Sequence, residues 1–269
     1  MKIGNRDFET GKRTYIMGIL NVTPDSFSDG GIYNQPDMAL RHTEEMIRDG
    51  ADIIDVGGES TRPGYERISD VEEIERVIPV IEKIKNRFDI PVSIDTYKSG
   101  VAKEAIKAGA DLINDIWGLK DDEKMASVIA SSKLPCCLMH NRKEAVYEDY
   151  IQDVLADLQK TLSIAEKAGI EKDKILLDPG IGFAKSYEQN LLLLKHMEIL
   201  NTLGCPILLG TSRKSVIGLT LDIPAKERVI GTTATTVLGV MKGCSFVRVH
   251  DIKENLQAIK MTEAILHAE

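Results

Sequence analysis

The sequence predicts an α/β fold, a single (β/α)8 TIM barrel over residues 1–269, and three observations predict it: eight short apolar runs, longer segments of helical period between them, and glycines or capping pairs at the joints. Barrels of this kind run to about 250 residues as one unit. No Pro/Ser-rich linker, low-complexity stretch or abrupt change of composition divides the chain.

The apolar runs are Ile16 to Leu20, Ile53 to Val56, Val92 to Ile94, Leu112 to Ile113, Cys136 to Met139, Ile175 to Leu177, Ile207 to Leu209 and Phe246 to Val249. Several are continuous rather than alternating, as parallel strands are when helices cover them outside and packed side chains fill them within. Between the second and third runs, Val71, Ile74, Val77, Ile78, Ile81 and Ile84 repeat at helical spacing behind the capping sequence Ser69-Asp70-Val71-Glu72. Val154 to Ala168 and Leu191 to Leu203 read the same way, and Ser186 followed by Gln189 gives another helix start. Gly50, Gly109, Gly169 and Gly204 stand where helices should stop. The competing architecture is an open doubly wound sheet, but the G-x-G-x-x-G expected after its first strand is absent.

Composition narrows the function. Lysine and arginine total 34 against 42 acids, a net charge of -8, so no global basic field exists to hold a nucleic acid, and an anionic ligand needs a local cluster. Cys136, Cys137, Cys205 and Cys244 form no C-x-x-C pair and read as reduced core residues. No segment approaches the roughly 18 apolar residues of a membrane span, and the N-terminus lacks a signal-peptide pattern. The expected address is the cytoplasm, with no membrane partner.

Polar residues cluster where the strands end. In order they are Asn21, Asp55, Asp95, Asn114-Asp115, His140-Asn141, Asp178, Thr211-Ser212-Arg213-Lys214, and Arg248 with His250-Asp251. A single strand-end Asp serves as readily to cap the next helix as to act chemically. Recurrence around the ring argues for one shared polar pocket at the C-terminal face. The glycine-bearing segments Asp29-Gly30-Gly31 and Gly57-Gly58-Glu59-Ser60-Thr61-Arg62-Pro63-Gly64 are expected as loops over its mouth.

Met17-Gly18-Ile19-Leu20-Asn21-Val22-Thr23-Pro24-Asp25-Ser26-Phe27-Ser28-Asp29-Gly30-Gly31 and Asp55-Val56-Gly57-Gly58-Glu59-Ser60-Thr61-Arg62-Pro63-Gly64 closely resemble signatures of the dihydropteroate synthases. Further blocks follow in the family's order at Ser93 to Thr96, Ile113 to Asp115, Asp178 to Phe183, Gly210 to Ser215 and Val247 to Asp251. One departure is Ala184, where many members carry glycine. The resemblance implies a monofunctional, bacterial-type transferase that joins a dihydropterin-methyl diphosphate to p-aminobenzoate. It implies a pterin pocket formed by Asp95, Asn114, Asp178, Phe183, Lys214 and Arg248, of which Asp95, Lys214 and Arg248 take part in catalysis. The diphosphate falls to Asn21, Thr61, Arg62, Arg248 and His250, with Asn21 touching a Mg2+ ion. For p-aminobenzoate the implied contacts are Phe27, Thr61, Arg62, Pro63, Phe183, Lys214 and Ser215. Sulfonamide inhibition and a homodimer built on the late helices around Val229 to Met241 are implied as well.

Two other readings share the pterin pocket. One is a methyltetrahydrofolate methyltransferase domain serving a corrinoid or homocysteine partner; the other is a non-catalytic pterin-binding paralogue. The methyl carrier needs neither the two loops nor the anion-holding segments Ser212 to Ser215 and Arg248 to His250.

Overall fold

A parallel strand that is covered on both faces has only its ends left for chemistry, and the barrel follows from that constraint. The computed structural model describes residues 1–23, 35–60 and 66–268. A short hairpin, β1 (Lys2–Ile3) and β2 (Arg6–Asp7), comes first. The eight parallel strands are β3 (Tyr15–Asn21), β4 (Ile53–Gly57), β5 (Val92–Asp95), β6 (Leu112–Asp115), β7 (Cys136–Met139), β8 (Ile175–Asp178), β9 (Leu208–Leu209) and β10 (Phe246–Val249). Their order is β8-β7-β6-β5-β4-β3-β10-β9, and the parallel bridge between Leu177 and Ile207 joins the last strand to the first.

The helices alternate with these strands. They are α1 (Gln35–Asp49), α2 (Asp70–Arg87), α3 (Ser99–Lys107), α4 (Met125–Ser132), α5 (Tyr150–Ala168), α6 (Tyr187–Lys195), α7 (Ser215–Leu221), α8 (Val229–Met241) and α9 (Ile252–Leu266). The predicted starts hold: Ser69 accepts from the Glu72 backbone, and Ser186 with Gln189 forms a complete capping box. All four predicted stop glycines take positive φ.

Each apolar run becomes a strand, and four of them extend into polar residues that their hydrophobicity did not include. Ladder bonds are made by the backbone, so pairing continues through Asn21, Asp95, Asn114 and Asp178 whatever the side chain. Leu191 to Leu203 is not one helix. The α-helix ends at Lys195 and a 3-10 segment, Met197–Leu203, takes over. Its buried positions Met197, Leu200 and Leu203 recur every third residue, which is the period of the tighter helix.

The hairpin was not anticipated. Its turn, Gly4-Asn5, is a short-range signal that apolar runs do not reveal, because the flanking strands have two residues each. It closes the barrel floor: Ile3 and Phe8 are buried, and the Phe8 ring lies 4.8 Å from Tyr15 and 5.6 Å from Phe246. Above this plug, Met17, Ile53, Leu112, Cys137, Leu176 and Leu208 join Phe246 in an inner core distinct from the larger one between strands and helices. All four cysteines are buried and free, and burial pushes the Cys244 thiol up to about 12.

Phe246 is fully buried at the join of plug and inner core. Phe246→Ala is expected to cost about 3–5 kcal/mol, read as a lower urea midpoint with an unchanged slope.

Candidate active site

Side chains alternate across a strand, so the residue two beyond each inner-core position faces the same interior. From Ile53, Leu112, Leu176 and Phe246 this step gives Asp55, Asn114, Asp178 and Arg248. Asp95, at the end of β5, belongs to the same layer. The apolar core and the polar floor above it are thus one arrangement.

Arg248 is the centre of that floor. Its Nε donates to Asp55 Oδ2 at 2.6 Å and its terminal nitrogen to Asp95 Oδ2 at 2.7 Å, while Asn114 donates to Asp55 Oδ2 at 3.2 Å. Asp55 is 0% exposed, Asn114 3% and Asp178 5%. Burial lifts the Asp95 carboxyl to about 7, with Arg248 opposing the shift and Asp55 reinforcing it. Burial also works against the Arg248 cation, but Asp55 and Asp95 more than reverse this and hold it above its ordinary range. Asp55 Oδ1 and Asp95 Oδ1 are buried and have no hydrogen-bond partner among the described residues. Two carboxylates therefore share one guanidinium and retain acceptors for something else.

Opposite lies the turn that begins at Asp178. Its Oδ1 accepts from Gly180 N at 2.7 Å, and Gly180 has φ +70 with its position for a Cβ only 2.0 Å from the His140 carbonyl oxygen, so no other residue fits. The turn presents the Ile181 carbonyl to Lys214 Nζ at 2.5 Å, and Lys214 lies 4.8 Å from the Phe183 ring centre. Burial raises the Asp178 carboxyl and Lys214 opposes it; burial lowers Lys214 to about 8 and Asp178 opposes that. A Cβ on Gly210 would sit 3.4 Å from Asp178 Oδ2 and 3.8 Å from Lys214 Nζ. Bare backbone there keeps the space between them open.

Asn21 ends β3 at the rim, where a Cβ on Gly57 would lie 3.6 Å from both Asn21 Oδ1 and Asp95 Oδ2. His250 Nδ1 is 2.9 Å from Ser212 Oγ, which also accepts from His250 N at 3.1 Å. Ser215 is the exposed first residue of α7, next to Lys214. Tyr97, Ile116, Met139, Trp117 and Phe183 form a separate apolar cluster. Behind the rim, Lys98 Nζ joins Glu59 at 2.6 Å, Glu73 at 2.7 Å and the Ile68 carbonyl at 2.8 Å, tying both flanks of residues 61–65.

The structure brings Asp95, Asn114, Asp178, Lys214 and Arg248 together, with Phe183 beside Lys214. Phe27, Thr61, Arg62 and Pro63 lie outside the described residues. The single shared pocket does not include every strand-end polar residue. Asp115 accepts from the backbone of Trp117 and Leu119, His140 faces Asp157 and Lys185, and Asp251 pairs with Arg213. Asp115 is the strand neighbour of inward-facing Asn114, so alternation turns it the other way, whereas His140 and Asp251 lie past the last residues of β7 and β10. Asp55 was visible at a strand end without a stated role. The i, i+2 step from Ile53 is the signal that finds it.

A family model described as a pterin binding enzyme matches residues 17–250. The chain belongs to the pterin-binding enzymes. Within that family it is 61% identical over 267 residues to the dihydropteroate synthase of Clostridium beijerinckii, covering 99% of each chain. It superposes on dihydropteroate synthase from Clostridium difficile, crystallised in the presence of pteroic acid, with a TM-score of 0.95 and 53% identity, over 97% of this chain and 100% of that one. The Yersinia pestis enzyme in a sulfonamide drug complex matches with a TM-score of 0.94 and 42% identity, over 100% and 99%. The (β/α)8 architecture is common to the family and this chain.

Asp95 holds its proton more tightly folded than unfolded, so its contribution to stability is complete below about pH 4 and is lost as the pH rises through about 7. Asp95→Asn removes that dependence. The stability of the variant relative to its parent is expected to rise between about pH 4 and pH 7, by up to about 1.4 kcal/mol per unit. Urea titrations across that range check it, and a difference that does not change with pH contradicts the raised Asp95.

Proposed function

We infer that the chain condenses (7,8-dihydropterin-6-yl)methyl diphosphate with p-aminobenzoate to give 7,8-dihydropteroate and diphosphate, the dihydropteroate synthase step of folate biosynthesis. The observation that carries this reading from family to chemistry is the charged floor, in which three carboxylates, Asp55, Asp95 and Asp178, surround two cations, Arg248 and Lys214. Such a set favours a ligand that gains positive charge during reaction.

In this reading Asp178 accepts N–H bonds from the aminopyrimidinone edge of the pterin, with Asn114 offering a donor and an acceptor to the same ring. Lys214 meets the ring's polar edge and Phe183 lies against a face. The bond between methylene carbon and diphosphate oxygen breaks first, its electron pair leaving with the diphosphate. The resulting pterin cation is stabilised by Asp95, and Arg248 holds the departing anion with His250, Asn21, Thr61 and Arg62. The lone pair of the arylamine then forms the C–N bond and a proton is released. No strong base is required, because that lone pair is free at neutral pH. Phe27, Thr61, Arg62, Pro63, Phe183, Lys214 and Ser215 receive the p-aminobenzoate, and sulfonamides compete there as mimics.

Among the described residues no three His, Cys, Asp or Glu side chains converge to cage a metal ion. The Asn21 amide offers one neutral hard oxygen, which would hold a Mg2+ ion that arrives with the diphosphate. When bound, it supplies charge neutralisation to the leaving group. We further propose a cytoplasmic homodimer. Its supporting surface is the exposed apolar set Leu219, Leu221, Ile230, Met241, Met261, Ile265 and Leu266 on the neighbouring helices α7, α8 and α9.

Purified protein given Mg2+, dihydropterin-methyl diphosphate and p-aminobenzoate is expected to release diphosphate and dihydropteroate in equal amounts. Asp178→Asn should lower kcat/KM by about a hundredfold or more. Pterin binding without either product would leave a binding module or methyl carrier. For the assembly, Ile230→Glu is expected to convert a dimer to a monomer by sedimentation velocity; a species of unchanged mass removes this face from the interface.

A further inference from the structure

Lys185 ends the turn that begins at Asp178 and is not used by the chemistry above. Its Nζ reaches the Gly180 carbonyl at 2.9 Å, the Phe183 carbonyl at 3.0 Å and His140 Nδ1 at 2.9 Å. An ammonium has three N–H bonds, so each finds an acceptor. Two of those acceptors lie inside the turn, which Lys185 thereby stitches from its own far end. Gly180 O also accepts from Phe183 N at 3.1 Å, and Asn190 Oδ1 holds Gly182 N at 2.6 Å.

The third acceptor is fixed from behind. Since His140 Nδ1 accepts, the ring proton sits on Nε2, which donates to Asp157 Oδ2 at 3.3 Å. Asp157 is held in turn by Arg142 at 2.5 Å and Lys160 at 3.3 Å. Burial pushes His140 down to about 3, with Lys185 and Lys120 adding to the shift, so the ring stays neutral and able to accept. Burial also pushes Lys185 down to about 7, against which Asp178 pulls it back; Lys214, Lys120 and Arg142 are the other charges facing it. Asp178 in turn faces Lys214, Arg248 and Lys185.

We propose that Lys185 is a positioning residue for pterin-ring recognition: by closing the 178–185 turn it sets the Asp178 carboxylate and the Ile181 carbonyl that orients Lys214. It does so without touching the ring. The proposal rests on the pterin-binding reading of the pocket, and it assigns the His140–Asp157–Arg142 chain the task of holding Lys185.

Lys185→Met keeps most of the side-chain length and removes the three donors and the charge. Calorimetric titration with 6-hydroxymethylpterin and, separately, with inorganic diphosphate and Mg2+ tests the idea. The pterin should bind about tenfold or more weakly, with diphosphate affinity held within about twofold. The loss of pterin binding on acidification should move up by about half a pH unit or more, because Asp178 loses a facing cation. Equal weakening of both ligands, or weakening with no movement of the acid limb, overturns the proposal and leaves Lys185 as a fold stabiliser. Should Lys185→Met fail to fold, Asp157→Asn carries the same test: pterin weakened by about threefold with diphosphate unaffected supports it, and parallel loss of both overturns it. Parent protein that binds no hydroxymethylpterin overturns the pocket reading itself, before any variant is compared.

Discussion

The period of two along a β-strand is the constraint on which this structure depends. A strand that commits one residue to the inner core must present the residue two further on to the same interior. Ile53 thereby fixes Asp55, Leu112 fixes Asn114, Leu176 fixes Asp178 and Phe246 fixes Arg248. Packing of the lower layer is what holds the charged layer in register, because a slip of one residue would turn every one of these groups into the helix-facing shell. The hairpin plug supports the same register from below, since Ile3 and Phe8 complete a layer that the strands alone leave open at that end.

A floor of charges so deeply buried is costly unless each is paired. The guanidinium of Arg248 between Asp55 and Asp95, and the attraction between Asp178 and Lys214, offset part of that cost without closing the network. Asp55 Oδ1 and Asp95 Oδ1, buried without a hydrogen-bond partner among the described residues, are the remainder. Free energy withheld from folding in this way is available to ligand binding, which is why the incomplete pairing and the function belong together.

Much of this was legible in the sequence, and the reasons differ by element. Strand positions followed from apolar runs, but their polar last residues did not, because hydrophobicity does not register backbone pairing. The helix starts at Ser69 and Ser186 and the stops at Gly50, Gly109, Gly169 and Gly204 are local chemistry and were readable as such. The 3-10 segment Met197–Leu203 was hidden inside an apolar pattern that suits either helix until its period of three is counted. At the site, residues carried by the strand ends were found, whereas Lys185, His140 and the Lys98 cluster were not assigned a task. His140 and Lys185 stand 45 residues apart and Glu59 and Lys98 39, and no local pattern encodes such meetings. Ala184 shows the converse: its φ of 45 explains a preference for glycine that the sequence registered only as a departure.

The single tryptophan, Trp117, packs with Tyr97, Ile116, Met139 and Phe183 in the small apolar cluster by the mouth, separate from both large cores. Its emission is therefore a local signal. A thermal melt followed by indole fluorescence reports the loosening of that cluster, whereas circular dichroism reports the helices around the barrel. If the two transitions fall at different temperatures, the gap between them is the margin by which the mouth opens before the barrel does.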